Sequence, residues 1–384
     1  MRTLLIERCR VFNAPPGAPP VDVLVRGSAI DVIGAPPGTP ADARLDAAGR
    51  MLVPGLLDVH IHGSGGADVL DGSPEALETM SRALARLGTT GFLGTSFMQP
   101  QHGSRHLPVA AEQVGRDLGG ARLLGLHLEG PFINPEKRGG IPPTAIYPPS
   151  RGAMDEVLDL TGGALRMMTL APELEGNLGN VERLASAGIV AAFGHSAATY
   201  ERTRAGIAAG ITHCTHLYNA MSGLHHRDPG PLVALHESEH VTVEVISDGV
   251  HVSGPVVRFT HRAFGLDRCV LITDAMRTAG MPDGRYLYGG REFESRDGAA
   301  RYLDGTLIGT ALGLREVVLR FRDFTGCSFA EAVTAATLNP ARLLGIDDRK
   351  GSIAVGKDAD LVLLDADFSV WATVVEGRLV YSRS

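Results

Sequence analysis

Pro54-Gly55-Leu56-Leu57-Asp58-Val59-His60-Ile61-His62-Gly63 decides how the rest of the chain is read, because an apolar strand here ends in two histidines one residue apart. Side chains alternate across a strand, so positions 60 and 62 point the same way. Neutral imidazole is a common ligand for zinc and iron, and two rings converging from one strand end supply half of a four-coordinate site. Taken alone, a His-x-His pair is more often two surface or core histidines than a ligand pair. Candidate ligands farther along the chain reverse that balance.

The chain has 384 residues, 44% hydrophobic and 21% charged, which is enough to bury a large core and exceeds the size of one small domain. The net charge of -7 and pI near 6.1 give no overall attraction to nucleic acid or to an anionic membrane, and neither is expected as a partner. Cys9, Cys214, Cys269 and Cys327 lack Cys-x-x-Cys spacing and read as reduced, mostly buried thiols, the usage of a cytoplasmic protein. The apolar stretch within residues 1–10 is too short for a signal peptide, and no uninterrupted apolar run reaches membrane-spanning length.

Residues 1–52 read as short strands, at 3–9 and 21–25, between Pro/Gly turns at 14–17 and 35–38. From Pro54 the texture changes to short apolar strands alternating with Ala/Leu/Arg helical patterns: helix 75–87, strands 90–95 and 123–128, helix 181–187, strand 189–193. The pattern continues through 199–209, 211–216, 242–246, 256–263, 269–273 and 312–322. Such alternation argues parallel strands with crossover helices. Its length suits an α/β fold, a (β/α)8 TIM-type barrel over 53–349 with chemistry at the strand C-termini. Residues 350–384 return to short strands that can pair with 1–52 as a small β-sandwich domain. Residues 283–304, rich in Gly, Arg and Tyr, read as a hairpin insertion turning at Gly289-Gly290.

Each further candidate ligand lies just past an apolar strand. Leu123-Leu124-Gly125-Leu126-His127-Leu128-Glu129 delivers Glu129, with His127 on the same face in a supporting position. Ile189 to His195 delivers His195, Ile211 to His216 delivers His216, and Val270-Leu271-Ile272-Thr273-Asp274 delivers an acid. A lone histidine among these is as easily a structural group, but a whole set at successive strand ends is hard to produce by chance. A metal beside a free carboxylate implies a hydrolase acting on an amide or similar carbonyl. The ion lowers the pKa of water, and Asp274 takes the proton and passes it to the leaving group. Glu129 as the base, with Asp274 only a ligand, is the alternative assignment.

At these residues the chain closely resembles the N-acetylglucosamine-6-phosphate deacetylase family of the amidohydrolase superfamily. The resemblance runs over nearly its full length. It is carried by Pro-Gly-Leu-Leu-Asp-Val-His-Ile-His-Gly, Leu-Glu-Gly-Pro-Phe at 128–132, Gly-His-Ser-Ala-Ala-Thr-Tyr at 194–200, Thr-His-Leu-Tyr-Asn-Ala-Met at 215–221 and Ile-Thr-Asp-Ala-Met at 272–276. The C-terminal Gly-Lys-Asp-Ala-Asp-Leu-Val is common to the superfamily and adds no substrate information. The resemblance implies that Glu129, His195 and His216 hold the main metal, that His60 and His62 can hold a second, and that Asp274 is the general acid/base. One or two divalent ions per subunit follow, with zinc the first choice and iron or another ion able to take the same donors. It implies a sugar phosphate on Asn219, the backbone at Ala220, and Arg227 reaching across a homodimer interface, with His251 on the sugar. Guanidinium and amide donors match phosphate oxygens.

Two departures stand out. Where the family usually carries Gly-Ala-His, whose histidine grips the substrate carbonyl, this chain reads Arg138-Gly139-Gly140-Ile141, and no histidine occurs between His127 and His195. Losing one donor to a developing oxyanion can cost about 100-fold or more in rate. Either a second metal polarises the carbonyl or the substrate differs, and Ile141 is a candidate substrate contact. Arg277 stands where the family has a small residue; it grips an anionic substrate or faces solvent. The leading expectation is deacetylation of N-acetylglucosamine 6-phosphate. A rival enzyme reading is another amidohydrolase, acting on N-acetylgalactosamine 6-phosphate, an N-acyl amino acid, a cyclic amide or another acylated anion. A catalytically dead oligomerising scaffold is the rival from a different class, and the intact ligand set speaks against it.

Overall fold

The structure, a computed structural model, describes residues 1–15 and 17–383, so that of the turn expected at 14–17, Pro16 lies outside the described residues. Eight parallel strands form the main body: β1 (Leu56–Ile61), β2 (Thr89–Ser96), β3 (Arg122–Glu129), β4 (Leu165–Leu170), β5 (Val190–Phe193), β6 (Ile211–Cys214), β7 (Thr242–Val245) and β8 (Cys269–Leu271), each beside its sequence neighbour. β4 was not foreseen; Leu-Arg-Met-Met-Thr-Leu is poor in β-branched residues, and its partners on both sides make it a strand. The two ends of the sheet meet just past β1 and β8. There His62 and Gly63 donate N–H to the Ala275 carbonyl at 2.9 and 3.0 Å, and Asp274 donates to the His60 carbonyl at 2.9 Å. The barrel therefore closes at the rim where the candidate ligands stand.

Inside, Val59, Leu93, Met167, Ala192 and Val270 belong to one buried cluster; drawing on strands all round the sheet, it can only lie within the barrel. Buried polar side chains share that interior and are hydrogen-bonded: Thr273 Oγ1 to Asp58 at 2.6 Å, His127 Nε2 with Thr169 Oγ1 at 2.8 Å, and Thr169 with Thr215 at 2.7 Å. Crossover helices pack outside. The first, α1 (Pro74–Arg86), starts where the Ser73 hydroxyl accepts the Ala76 N–H, and it buries Leu77, Met80 and Leu84 on one stripe.

Strands from both termini build a second, mainly antiparallel structure. Met51–Pro54 lies parallel to the end of Thr3–Val11 and antiparallel to Leu361–Leu364, joining the two ends of the chain. Leu4, Ile6, Val23 and Val25 from one sheet face Leu52, Leu361, Leu363 and Val374 from the other, the core of a β-sandwich. The fold is thus the expected barrel with a sandwich from the termini. The insertion is larger than the expected hairpin. Gly284–Tyr288, Arg291–Arg296, Ala299–Tyr302 and Leu307–Thr310 form a four-stranded antiparallel sheet, with Gly289-Gly290 at its first turn.

Candidate metal centre and substrate cavity

The ends of β1, β3, β5, β6 and β8 bring the expected residues to one buried point. Glu129 Oε1 lies 3.1 Å from His195 Nε2 and 3.2 Å from His216 Nε2, and the two imidazole nitrogens are 3.0 Å apart. Zinc bonds of about 2.0–2.2 Å in tetrahedral geometry separate ligand atoms by roughly 3.3 Å, so this trio already has the spacing of a coordination sphere. Beside it, His62 Nε2 is 3.4 Å from Glu129 Oε2 and 3.2 Å from Asp274 Oδ1. His60 Nε2 faces Glu129 and Asp274 at 3.5 Å and has no hydrogen-bond partner although its ring is buried. An orphaned buried nitrogen among carboxylates, next to a complete His/His/Glu trio, fits one or two divalent ions, which Glu129, His195 and His216 on one side and His60 and His62 on the other would hold.

Backbone conformation aims these groups. His195, His216 and Asp274 follow their strands with φ of 48°, 26° and 48°, in the left-handed region that non-glycine residues avoid at a cost of about 1–3 kcal/mol each. The turn swings each side chain from the strand into the mouth. Gly309 fits against this turn; a Cβ there would meet the Asp274 carbonyl oxygen at 2.4 Å.

Three of the four ring nitrogens that point away from the centre are held as well, His216 Nδ1 alone among them having no hydrogen-bond partner among the described residues. His195 Nδ1 donates to the Lys137 carbonyl at 2.8 Å, His62 Nδ1 meets the Tyr288 hydroxyl at 3.0 Å, and His60 Nδ1 meets Glu244 Oε2 at 2.9 Å. Such partners fix the tautomer that leaves Nε2 free to bind an ion. Glu244 also accepts the His216 N–H at 2.8 Å, so one fully buried carboxylate touches both halves of the centre. Burial raises the carboxyls of Glu129, Asp274 and Glu244. His60 opposes this in all three, with His195 and His216 at Glu129, His62 at Asp274 and His213 at Glu244, and all three lie below the usual carboxylate range. His127 is pushed down to about 3, first by burial and then by His60, which makes it a neutral hydrogen-bonding spacer, 4.6 Å from the His60 ring.

Sequence reading missed Glu244 and Tyr288. Glu244 left a signal, an acid inside a strand that must be buried on both faces. Tyr288 left none, since it arrives from the insertion sheet.

A cavity of about 260 Å³ opens over the centre. His62, Glu129, His195, His216 and Asp274 form its floor, and Asn219, Ala220, His251, Ile141, Phe97, Tyr288, Leu307 and Ile308 are in its walls. Ala220 has φ of 50°, and His251 Nδ1 is held by Asp248 at 2.6 Å. Two expected substrate residues stand elsewhere. Arg227 is exposed, lies outside the cavity lining and contacts His226 at 2.9 Å. Arg277 neither lines this cavity nor faces solvent freely. Its guanidinium pairs with Asp68, Nε to Oδ2 at 2.7 Å, and with Asp71, which corrects both expectations for it.

Residues 51–380 match the model of the Amidohydrolase family. The chain is 39% identical over 339 residues to an N-acetylglucosamine-6-phosphate deacetylase of Bacillus subtilis (strain 168), covering 87% of this chain and 85% of that protein. It is 37% identical to an N-acetylgalactosamine-6-phosphate deacetylase of Escherichia coli O157:H7, covering 86% and 88%. Among solved structures, an N-acetyl-D-glucosamine-6-phosphate deacetylase of Mycobacterium smegmatis in complex with N-acetyl-D-glucosamine-6-phosphate superposes with a TM-score of 0.89 at 34% identity over 99% of both chains. The geometry of the centre and these likenesses agree: the chain belongs to the amidohydrolase family, on the branch that holds the N-acetylglucosamine-6-phosphate deacetylases.

Proposed function

We infer that the protein hydrolyses the N-acetyl group of N-acetylglucosamine 6-phosphate, releasing acetate and glucosamine 6-phosphate. The observation that carries this is the convergence of Glu129, His195, His216, His60, His62 and Asp274 under a cavity walled by Asn219, Ala220 and His251, in a chain whose relatives carry that activity. Glu129, His195 and His216 hold the main divalent ion and His60 with His62 a second, zinc being the first choice for a His/Glu set. When bound, the ion supplies Lewis acidity, acidifying water and polarising the amide carbonyl.

The protein's own groups do the rest. Asp274, its carboxyl kept ionised by His60 and His62 against the effect of burial, accepts a proton from the attacking water. It then returns that proton to the amine as the C–N bond breaks. Asn219, the Ala220 backbone and His251 seat the sugar phosphate.

Arg227 completes phosphate binding from a second copy of the chain. Support comes from its position outside its own cavity and from the apolar surface near it. Leu224 and Phe259 are more than half exposed beside a groove formed with Leu232, Val233 and Phe264, an apolar face open to a second copy. A reducing compartment such as the cytoplasm is supported by four unpaired cysteines, and among the described residues no helix is long and apolar enough to cross a membrane.

Acetate release by the metal-loaded protein from N-acetylglucosamine 6-phosphate, its galacto epimer and the unphosphorylated sugar tests the reading. Efficient turnover of the first alone is expected. Faster turnover of the epimer would establish the second reading, which the Escherichia coli relative favours. Turnover of neither phosphate would overturn both.

A further inference from the structure

The mouth of the barrel has two unlike sides. Asn219 and Ala220 follow β6 and His251 follows β7; Phe97 follows β2 and Ile141 lies in the segment after β3, roughly half a turn of the barrel away. The insertion sheet folds over that second side. Tyr288 packs edge-on against Phe97 with ring centroids 5.8 Å apart, and Ile308 stands so close to Gly140 that a Cβ there would meet it at 2.7 Å. Phe97, Ile141, Tyr288 and Ile308 thus join one apolar cluster. The polar side-chain atom on this wall, the Tyr288 hydroxyl, is engaged by His62 Nδ1.

A phosphate cannot be desolvated against Phe97, Ile141, Leu307 and Ile308, where among the described residues no lysine or arginine lines the cavity. The anionic end of a substrate must therefore lie toward Asn219 and His251. With the scissile amide on the metal centre between the two sides, the acyl group projects into the apolar wall. A histidine at position 141 would place a polar ring there, whereas Ile141 leaves a dry hydrocarbon surface.

We propose that this wall is an acyl-chain pocket and that the enzyme deacylates amino sugar phosphates whose N-acyl group is longer than acetyl, propionyl and butyryl among them. The inference rests on the deacetylase reading and extends it to the acyl side of the substrate. The reaction is unchanged in balance: water adds across the amide C–N bond, the acyl group leaves as the carboxylate and the nitrogen as the amine.

The test is kcat/KM of the metal-loaded wild-type protein on N-acetyl-, N-propionyl- and N-butyryl-glucosamine 6-phosphate. A pocket built for acetyl rejects one extra methylene by about 10–200-fold. Propionyl within about fivefold of acetyl, or better, is expected here, because the added methylene is buried against Ile141 and Ile308. A larger loss overturns the proposal while leaving the deacetylase reading intact. No turnover of any of the three overturns that reading itself. Ile141→Phe, and separately Ile308→Phe on the insertion sheet, should lower the propionyl-to-acetyl ratio; an unchanged ratio in a folded variant would mean that the acyl group sits elsewhere. Binding of the metal alone, followed by metal content, should be unaffected by either change.

Discussion

The buried floor of the cavity and the exposed loop carrying Arg227 are built in opposite ways. At the floor the histidines are braced from behind: the His195, His62 and His60 rings by a carbonyl, Tyr288 and Glu244, and the His216 backbone by Glu244, all at 2.8–3.0 Å. On the loop, Arg227 is exposed, and the side chains it contacts are the neighbouring His225 and His226. Bond-making chemistry needs groups fixed before substrate arrives, because reorganisation during the reaction raises the barrier. Phosphate recognition needs only a cation in reach, and a second copy can supply it. The floor is complete in one chain, and on the proposed reading the rim takes its cation from a second.

If that division holds, changes at the floor should strike kcat or metal binding and changes at the rim should strike KM. The largest effect is expected for Asp274→Asn, which removes the proton carrier but keeps a side chain of the same shape. A fall in kcat of about 10²–10⁴-fold is expected, with metal content near wild type. Retained turnover would return the acid/base role to Glu129. Next comes Glu244→Gln, which breaks no bond to substrate. It weakens the hold on His60 and on the His216 backbone together, so affinity for the divalent ion should drop about 10–100-fold, read by titration with a metal indicator. An unchanged affinity would show that strand geometry alone orients the two histidines.

The floor was also the more legible region. His60, His62, Glu129, His195, His216 and Asp274 each sit at the end of a short apolar strand, and alternation along a strand is a local property that spacing alone reveals. What stayed hidden depends on residues far apart in the chain. Arg277 looked free because its partners, Asp68 and Asp71, lie more than 200 positions earlier. The apolar wall was invisible because Ile141 meets Tyr288, Phe293 and Ile308 only after the insertion folds back over β2 and β3. That insertion was under-read for a related reason. The first two turns, Gly289-Gly290 with φ of 54° and 82° and Asp297-Gly298 with φ of 52° and 83°, are both hairpin signals, whereas the last two strands, Ala299–Tyr302 and Leu307–Thr310, are too short for alternation to announce them.

At the rim, Arg227→Ala should raise KM for the phosphorylated sugar about tenfold, the worth of a charge-assisted hydrogen bond lost to a phosphate, and leave the neutral sugar untouched. Mixing Arg227→Ala with Asp274→Asn separates the two regions further. If the arginine acts across an interface, hybrid dimers contain one site with an intact floor and an intact neighbouring arginine, and a fraction of activity with wild-type KM returns. No recovery on mixing, with subunit exchange verified by labelled chains, would place Arg227 in its own subunit's site.

Arg277 should give the smallest effect on catalysis and thereby marks where the floor ends. It is held by Asp68 and Asp71 and does not line the cavity over the metal centre, so Arg277→Gln should change KM by less than about twofold. Its cost falls on stability and depends on pH. Burial raises the Asp68 carboxyl to about 6 even though Arg277 opposes the shift. In the unfolded chain Asp68 loses its proton near pH 4, while in the fold it keeps it until about pH 6. The folded state therefore binds more protons across that window, and this group's contribution to stability declines as pH rises through it, by up to about 3 kcal/mol. Without the guanidinium the folded carboxyl moves higher still, and the decline runs on past pH 6. The stability gap between wild type and Arg277→Gln, measured by urea unfolding, should be smallest near pH 4 and widen toward pH 7. A gap independent of pH would mean that Arg277 acts through packing of its hydrocarbon stem rather than through its charge.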